Sequence, residues 1–182
     1  MKRKSLIYHL SVCALMAAVL CVVGPLSLPI GPIPVSLANL VICLCACLLG
    51  WKWGTVSVLV YVLLGAFGMP VFSGYAGGLG KLVGPTGGYI IGYLFLALIG
   101  GAFVTRFHGR IGWTIAGLIL GMAALYAFGT VWFVVLMQCT LWYALTVCVF
   151  PFLVLDLIKI VFAAAAGGLI RKALVREHLL EA

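Results

Sequence analysis

Asp156 and Lys159 stand three residues apart in the run VFPFLVLDLIKIVFAAAAGG, Val149 to Gly168, which is otherwise suited to hydrocarbon. An acid and a base at i, i+3 share one helix face. On insertion scales an ionised residue at the centre of a membrane helix costs about 2.5–3.5 kcal/mol, so such residues face an interior cavity or a partner. At ~1.5 Å per residue, Asp156 lies about 8 Å and Lys159 about 12 Å below Pro151, within the outer half of a bilayer. A carboxylate accepts N–H donors and an ammonium donates to a carbonyl or carboxylate. The pair therefore suits the polar floor of a site for a small, amphipathic, largely apolar ligand that enters from outside. The alternative is an internal ion pair that neutralises itself, and spacing alone leaves both readings open.

Other side chains bear on such a site. Asn39 is polar and lies one turn into an apolar run, and Phe72, Tyr75 and Tyr89 can supply aromatic walls of the kind ligand pockets use. Interfacial anchoring is the plain alternative for those three rings. Lys81 in GGLGKLVG is not part of a phosphate-binding loop: GxxxxGK[ST] needs a glycine where Tyr75 stands and a hydroxyl where Leu82 stands. With no ATP site in the sequence, active transport would draw its energy from another subunit or an ion gradient. His9, His108 and His178 fall near the opposite ends of the spans from the membrane acid, which disfavours a hydrolytic triad and an enzyme. Cys43, Cys45 and Cys47 in CLCAC lack CxxC spacing and a nearby histidine, so they read as small packing residues and no metal is expected. Ala14 and Ala18 form a small-xxx-small pair, which allows close helix approach in lipid; from spacing alone that approach is internal.

The elements that must position these residues follow from composition. The chain of 182 residues is 66% hydrophobic and 8% charged, with a mean hydropathy of +1.33. Soluble domains carry roughly 45–50% apolar and about 25% charged residues. The apolar runs are continuous rather than alternating, which selects helices over a barrel. Six spans are expected: 6–24, 36–50, 54–67, 89–105, 111–138 with a bend at Gly129, and a last one from Pro151 to Arg171-Lys172. Residues 139–150 read as an apolar connection, an interfacial helix anchored by Trp142 and Tyr143. Two stretches rich in glycine and proline, 24–34 and 68–88, read as loops on the same side as Asp156. The net charge of +8 does not indicate a nucleic-acid partner, because the bases sit in short groups between apolar runs. Nine of them, Lys2, Arg3, Lys4, Lys52, Arg106, Arg110, Arg171, Lys172 and Arg176, fall on one side and Lys81 alone on the other. That bias places both termini in the cytoplasm. The first span is expected to be retained rather than cleaved as a signal peptide, and the whole chain, 1–182, to form one integral membrane domain.

These features together resemble the BioY family, the biotin-binding S components of energy-coupling factor (ECF) transporters. The likeness covers nearly the whole chain and is carried by GAFGMPVFSG (Gly65–Gly74), GGLGKLVGPTGGYIIGY (Gly77–Tyr93) and DLIK (Asp156–Lys159), with GPIPVSLANL (Gly31–Leu40) and YAFGTVW (Tyr126–Trp132) in support. The resemblance implies an all-α bundle of six transmembrane helices in a bacterial plasma membrane, without enzymatic activity, that captures biotin from outside. It implies that Asp156 receives the ureido N–H groups and that Lys159 orients the acid or meets the ligand. It also implies that the two outer loops, with Ser73, Gly84 and Thr86, close over the site beside Asn39, Phe72, Tyr75 and Tyr89. Ala14 and Ala18 match the motif by which S components dock on a transmembrane T component, and two cytoplasmic ATPases would hydrolyse ATP to drive release. An S component for another vitamin, or a helical assembly subunit with no ligand, are the alternatives. Two departures stand out: Ala38 follows Ser36-Leu37 where the family commonly has glutamine, and Val154-Leu155 precede the acid where the family has proline and glycine.

Overall fold

Backbone polar groups in hydrocarbon must be satisfied within their own segment, and continuous apolar runs achieve this as helices. The computed structural model describes residues 2–28 and 35–176. Its helices are α1 (Lys2–Val23), α2 (Ala38–Ala66), α3 (Leu79–Val83), α4 (Gly87–Arg106), α5 (Ile111–Met137), α6 (Leu141–Cys148) and α7 (Phe150–Arg176). Among the described residues, five of these (α1, α2, α4, α5 and α7) are long and apolar enough to cross a membrane. The chain is a multi-pass membrane protein. Residues 29–34, His178 and the last residues lie outside the described part.

The sequence reading separates 36–50 from 54–67, whereas hydrogen bonding joins them into the 29 residues of α2. Gly50 breaks that element with φ 68 and ψ −166. A Cβ on Gly54 would lie 3.0 Å from the Cys45 carbonyl, although nine residues of straight helix span about 13.5 Å. The two halves of α2 therefore fold back on each other at the glycine.

Glycine also sets how closely α4 and α5 approach. A Cβ on Gly88 would lie 2.4 Å from Trp132 Cβ, and one on Gly129 would lie 2.4 Å from the Tyr89 ring. Gly100 faces Leu118 and Gly117 faces Phe103 in the same antiparallel register. Such contacts replace the hydrophobic drive that lipid cannot provide between helices. Gly129 thus makes room for a ring; α5 carries no helix break there.

Cys13, Met16, Ala17 and Leu20 turn α1 towards the core, while Ala14 and Ala18 face outward. Internal packing, which spacing alone favours for that pair, is not what they do; Ala17 takes the inward role. All of Cys43, Cys45 and Cys47 are buried and free, as packing residues should be. On α7, Gly167 admits the Cys47 side chain.

The loop after α1 contains an antiparallel ladder of two residues a side, β1 (Ser27–Leu28) with β2 (Val35–Ser36). In the next loop Phe72 pairs with Ala76 across a turn that uses positive φ at Gly74 and Tyr75. Gly74 N–H donates to the Pro25 carbonyl at 3.0 Å, which joins the two loops. Helix α6 is the short connection expected between 139 and 150, with Trp142 and Tyr143 exposed. Lys52, Arg106, Arg110 and Arg171 gather at the end of the molecule away from these loops, where Gly50 meets Thr105 and Gly109 meets Arg171.

Candidate functional site

The two halves of α2 and the glycine contacts of α4 and α5 bring polar side chains to one place beneath the joined loops. Asn39 stands in the first turn of α2. Tyr89 and Tyr93, at i, i+4, occupy one face of α4. On α5 the buried stripe Gly117, Gly121, Leu125 and Gly129 carries Tyr126 and Thr130 beside it. From α7 come Phe152, Asp156 and Lys159.

Asp156 is 3% exposed. Its Oδ1 accepts from Lys159 Nζ at 2.9 Å. Its Oδ2 accepts from Asn39 Nδ2 at 3.2 Å and from the Tyr126 hydroxyl in a short bond. Lys159 Nζ also donates to the Ser36 carbonyl at 2.9 Å. One carboxylate is thus held by three helices, and the ammonium reaches from α7 to β2. Asn39 Oδ1 is buried without a hydrogen-bond partner. A buried unpaired acceptor carries a desolvation penalty of about 1–3 kcal/mol, and an incoming N–H donor would remove it.

These groups line a pocket of about 390 Å³ of empty space, its open mouth included. Ligand pockets combine apolar walls with a few placed polar groups. Here the walls are Leu125, Phe152 and the tyrosine rings, with Cys148 closing the side towards α6. Burial pushes the Cys148 thiol above its ordinary range, so it presents a neutral surface. The Tyr89 and Thr130 hydroxyls are hydrogen-bonded at 3.2 Å, which fixes that ring.

Of the candidates named from sequence, Asp156, Lys159, Asn39 and Tyr89 meet at this pocket. Phe72, Ser73, Tyr75, Gly84 and Thr86 do not line it. Phe72 is buried edge-on against Tyr61, 5.6 Å between centroids. Ser73 is half-buried and Tyr75 is exposed, both in the turn that Phe72 and Ala76 close. The Gly84 carbonyl accepts from Trp132 Nε1 at 3.0 Å, and Thr86 precedes α4 as its N-cap. Sequence reasoning missed Ser36, Tyr93, Leu125, Tyr126, Cys148 and Phe152. Two signals were present: Tyr93 repeats Tyr89 one turn on, and Tyr126 sits on the glycine-marked face of α5. Among the described residues no three His, Cys, Asp or Glu side chains are grouped to hold a metal ion.

Comparison with known proteins places the chain among relatives of the same fold. The BioY family model matches residues 1–176. A protein of Thermotoga maritima named biotin transporter BioY is 39% identical over 154 residues, covering 84% of this chain and 90% of its own. The biotin transporter BioY2 of Lactococcus lactis subsp. cremoris is 33% identical over 171 residues, with 92% of each chain covered. Among solved structures, the crystal structure of the S-component for biotin from an ECF-type ABC transporter superposes with a TM-score of 0.88. It is 29% identical in sequence, and the match covers 94% of this chain and 95% of that one.

Proposed function

The chain belongs to the BioY family, and on that premise we propose that it is the biotin-binding S component of an ECF-type transporter. The observation that carries this reading is the buried Asp156 held between Lys159, Asn39 and Tyr126 at the base of a pocket beneath the outer loops. Biotin presents two ureido N–H donors flanking a carbonyl, on an otherwise apolar bicycle. Asp156 takes one or both N–H groups, and the unpaired Asn39 Oδ1 offers a second acceptor. Lys159 uses two of its three protons within the chain and turns the third to the ureido carbonyl. Leu125, Phe152 and the tyrosine rings cover the apolar part. Phe72, Ser73, Tyr75, Gly84 and Thr86 belong to the loop that closes above.

Counting the two halves of α2 separately gives six membrane helices in one domain. The gathering of Lys52, Arg106, Arg110 and Arg171 at one end supports cytoplasmic termini in a plasma membrane. The outward Ala14 and Ala18 form the face on which a transmembrane T component docks, since small residues allow close backbone approach. Two cytoplasmic ATPase subunits then supply the energy, and this chain needs neither enzymatic activity nor a cofactor of its own.

A second reading rests on the same geometry. Lys159, Asn39 and Tyr126 engage both oxygens of Asp156, as a self-neutralised contact in an assembly subunit would. Calorimetric titration of the purified chain with biotin, with riboflavin and thiamin as competitors, separates the readings. Tight, selective biotin binding is expected. No binding by a folded chain would favour the second reading, and preference for a competitor would reassign the vitamin.

A further inference from the structure

At the end of the molecule opposite the pocket, Trp51, Ala102, Phe103, Thr105, Arg106 and Phe107 line an open slot of about 850 Å³ of empty space, the solvent at its mouth included. Glycine builds one wall. A Cβ on Gly101 would lie 2.5 Å from Trp51 N, so its absence seats the turn of α2 directly on α4 and leaves the Trp51 side chain standing beside that helix, 48% exposed. The other wall is Phe107, stacked on Trp113 at 4.3 Å and 10°, with Phe103 against it at 5.7 Å. Ala102, the small residue between the walls, is the floor, and exposed Arg106 is the lip.

Two features indicate what fills the slot. Its floor continues along α4 through Leu98 and Phe95, both turned outward, so an apolar track of about 16 Å runs from Arg106 into the hydrocarbon at ~1.5 Å per residue. Its lip belongs to the end that carries Lys52, Arg110 and Arg171. Asp156, the only acid among the described residues, lies in the far pocket. A guanidinium is suited to phosphate, and basic pockets at helix ends on the cytoplasmic side favour anionic head groups.

We infer that this slot holds one anionic phospholipid. An acyl chain lies along Ala102, Leu98 and Phe95. The rings of Trp51, Phe103 and Phe107 flank the glycerol region, and the phosphate meets Arg106. A protein helix is the less suitable occupant, because the slot opens onto a stripe that faces hydrocarbon. The inference does not depend on which vitamin the outer pocket takes.

Native mass spectrometry of the full chain, released from nanodiscs of phosphatidylglycerol and phosphatidylcholine with identical acyl chains, tests it. The expected result is one phosphatidylglycerol retained in preference. Arg106→Gln should lower its retention about fivefold, the scale of one basic residue near an anionic head group. Helix content by circular dichroism should stay as in the parent. Phosphatidylglycerol with brominated acyl chains should quench Trp51 fluorescence, read as the difference between parent and Trp51→Phe, and inorganic phosphate should not displace the lipid. Equal retention of the two head groups, or undiminished retention by Arg106→Gln, would overturn the inference. Displacement by inorganic phosphate would replace it with a simple anion site.

Discussion

Lys159 Nζ donates to the Ser36 carbonyl at 2.9 Å, so the ammonium that faces Asp156 also ties α7 to the strand preceding α2. Ser36 is itself fixed: its hydroxyl donates to the Gly24 carbonyl at 3.4 Å and accepts from Ala38 N–H at 3.0 Å. The lysine therefore connects the floor of the pocket to the loop after α1, and its loss should be felt in both.

Lys159→Met should weaken biotin binding and loosen the loop together. Removing one member of a buried ion pair costs about 3–5 kcal/mol, which lowers the thermal midpoint. Calorimetry and hydrogen exchange at residues 35–38 check this. Faster exchange with undiminished affinity would leave the lysine a structural tie only.

Asp156→Asn keeps the shape of the side chain but replaces an acceptor oxygen by a donor NH₂. One lost bond to a charged group is worth about 1.5–3 kcal/mol, so affinity should fall on the order of 10–150-fold. A titration with the folded variant decides it.

Tyr126→Phe removes one hydroxyl from Asp156 Oδ2 and leaves the ring in place. Affinity should fall about tenfold, since hydrogen bonds to charged groups lie at the upper end of the usual range. Asn39→Leu removes the other donor to Oδ2 and the unpaired acceptor as well. It should weaken binding more than Tyr126→Phe does, as competition titrations would show.

Gly129→Ala places a methyl where the Tyr89 ring now packs. Overpacking of this kind costs about 1–3 kcal/mol and moves a wall of the pocket. Thermal unfolding with and without biotin should show a lower midpoint and a smaller ligand-induced rise.

Ala14→Leu with Ala18→Leu enlarges an exposed face of α1. Biotin binding by the isolated protein should be unchanged, while co-purification with a T component should be lost. Reduced binding by the isolated variant would instead make the pair part of the internal packing.

Much of this was legible from local sequence. Insertion cost makes Asp156 and Lys159 conspicuous in an apolar helix, and continuous hydrophobic runs define the spans to within a few residues. Other features were not legible, because they depend on what lies across from a residue. Spacing admits Ala14 and Ala18 to either an internal or an outer face. Phe72 and Tyr75 have the chemistry of pocket walls, yet one is buried against Tyr61 and the other exposed on a turn. Gly129 suggests a bend until the ring of Tyr89 is found against it.

Sequence alone determined that the chain is helical and resides in a membrane, and that an acid–base pair occupies its last span, because hydrophobic run length and the cost of burying charge act locally. Only the tertiary structure decided that Asn39 and Tyr126 share one oxygen of Asp156 and that Lys159 reaches Ser36. Those contacts join residues 30, 117 and 123 positions apart, and they exist because glycines let α4 and α5 approach closely and let α2 fold back at Gly50.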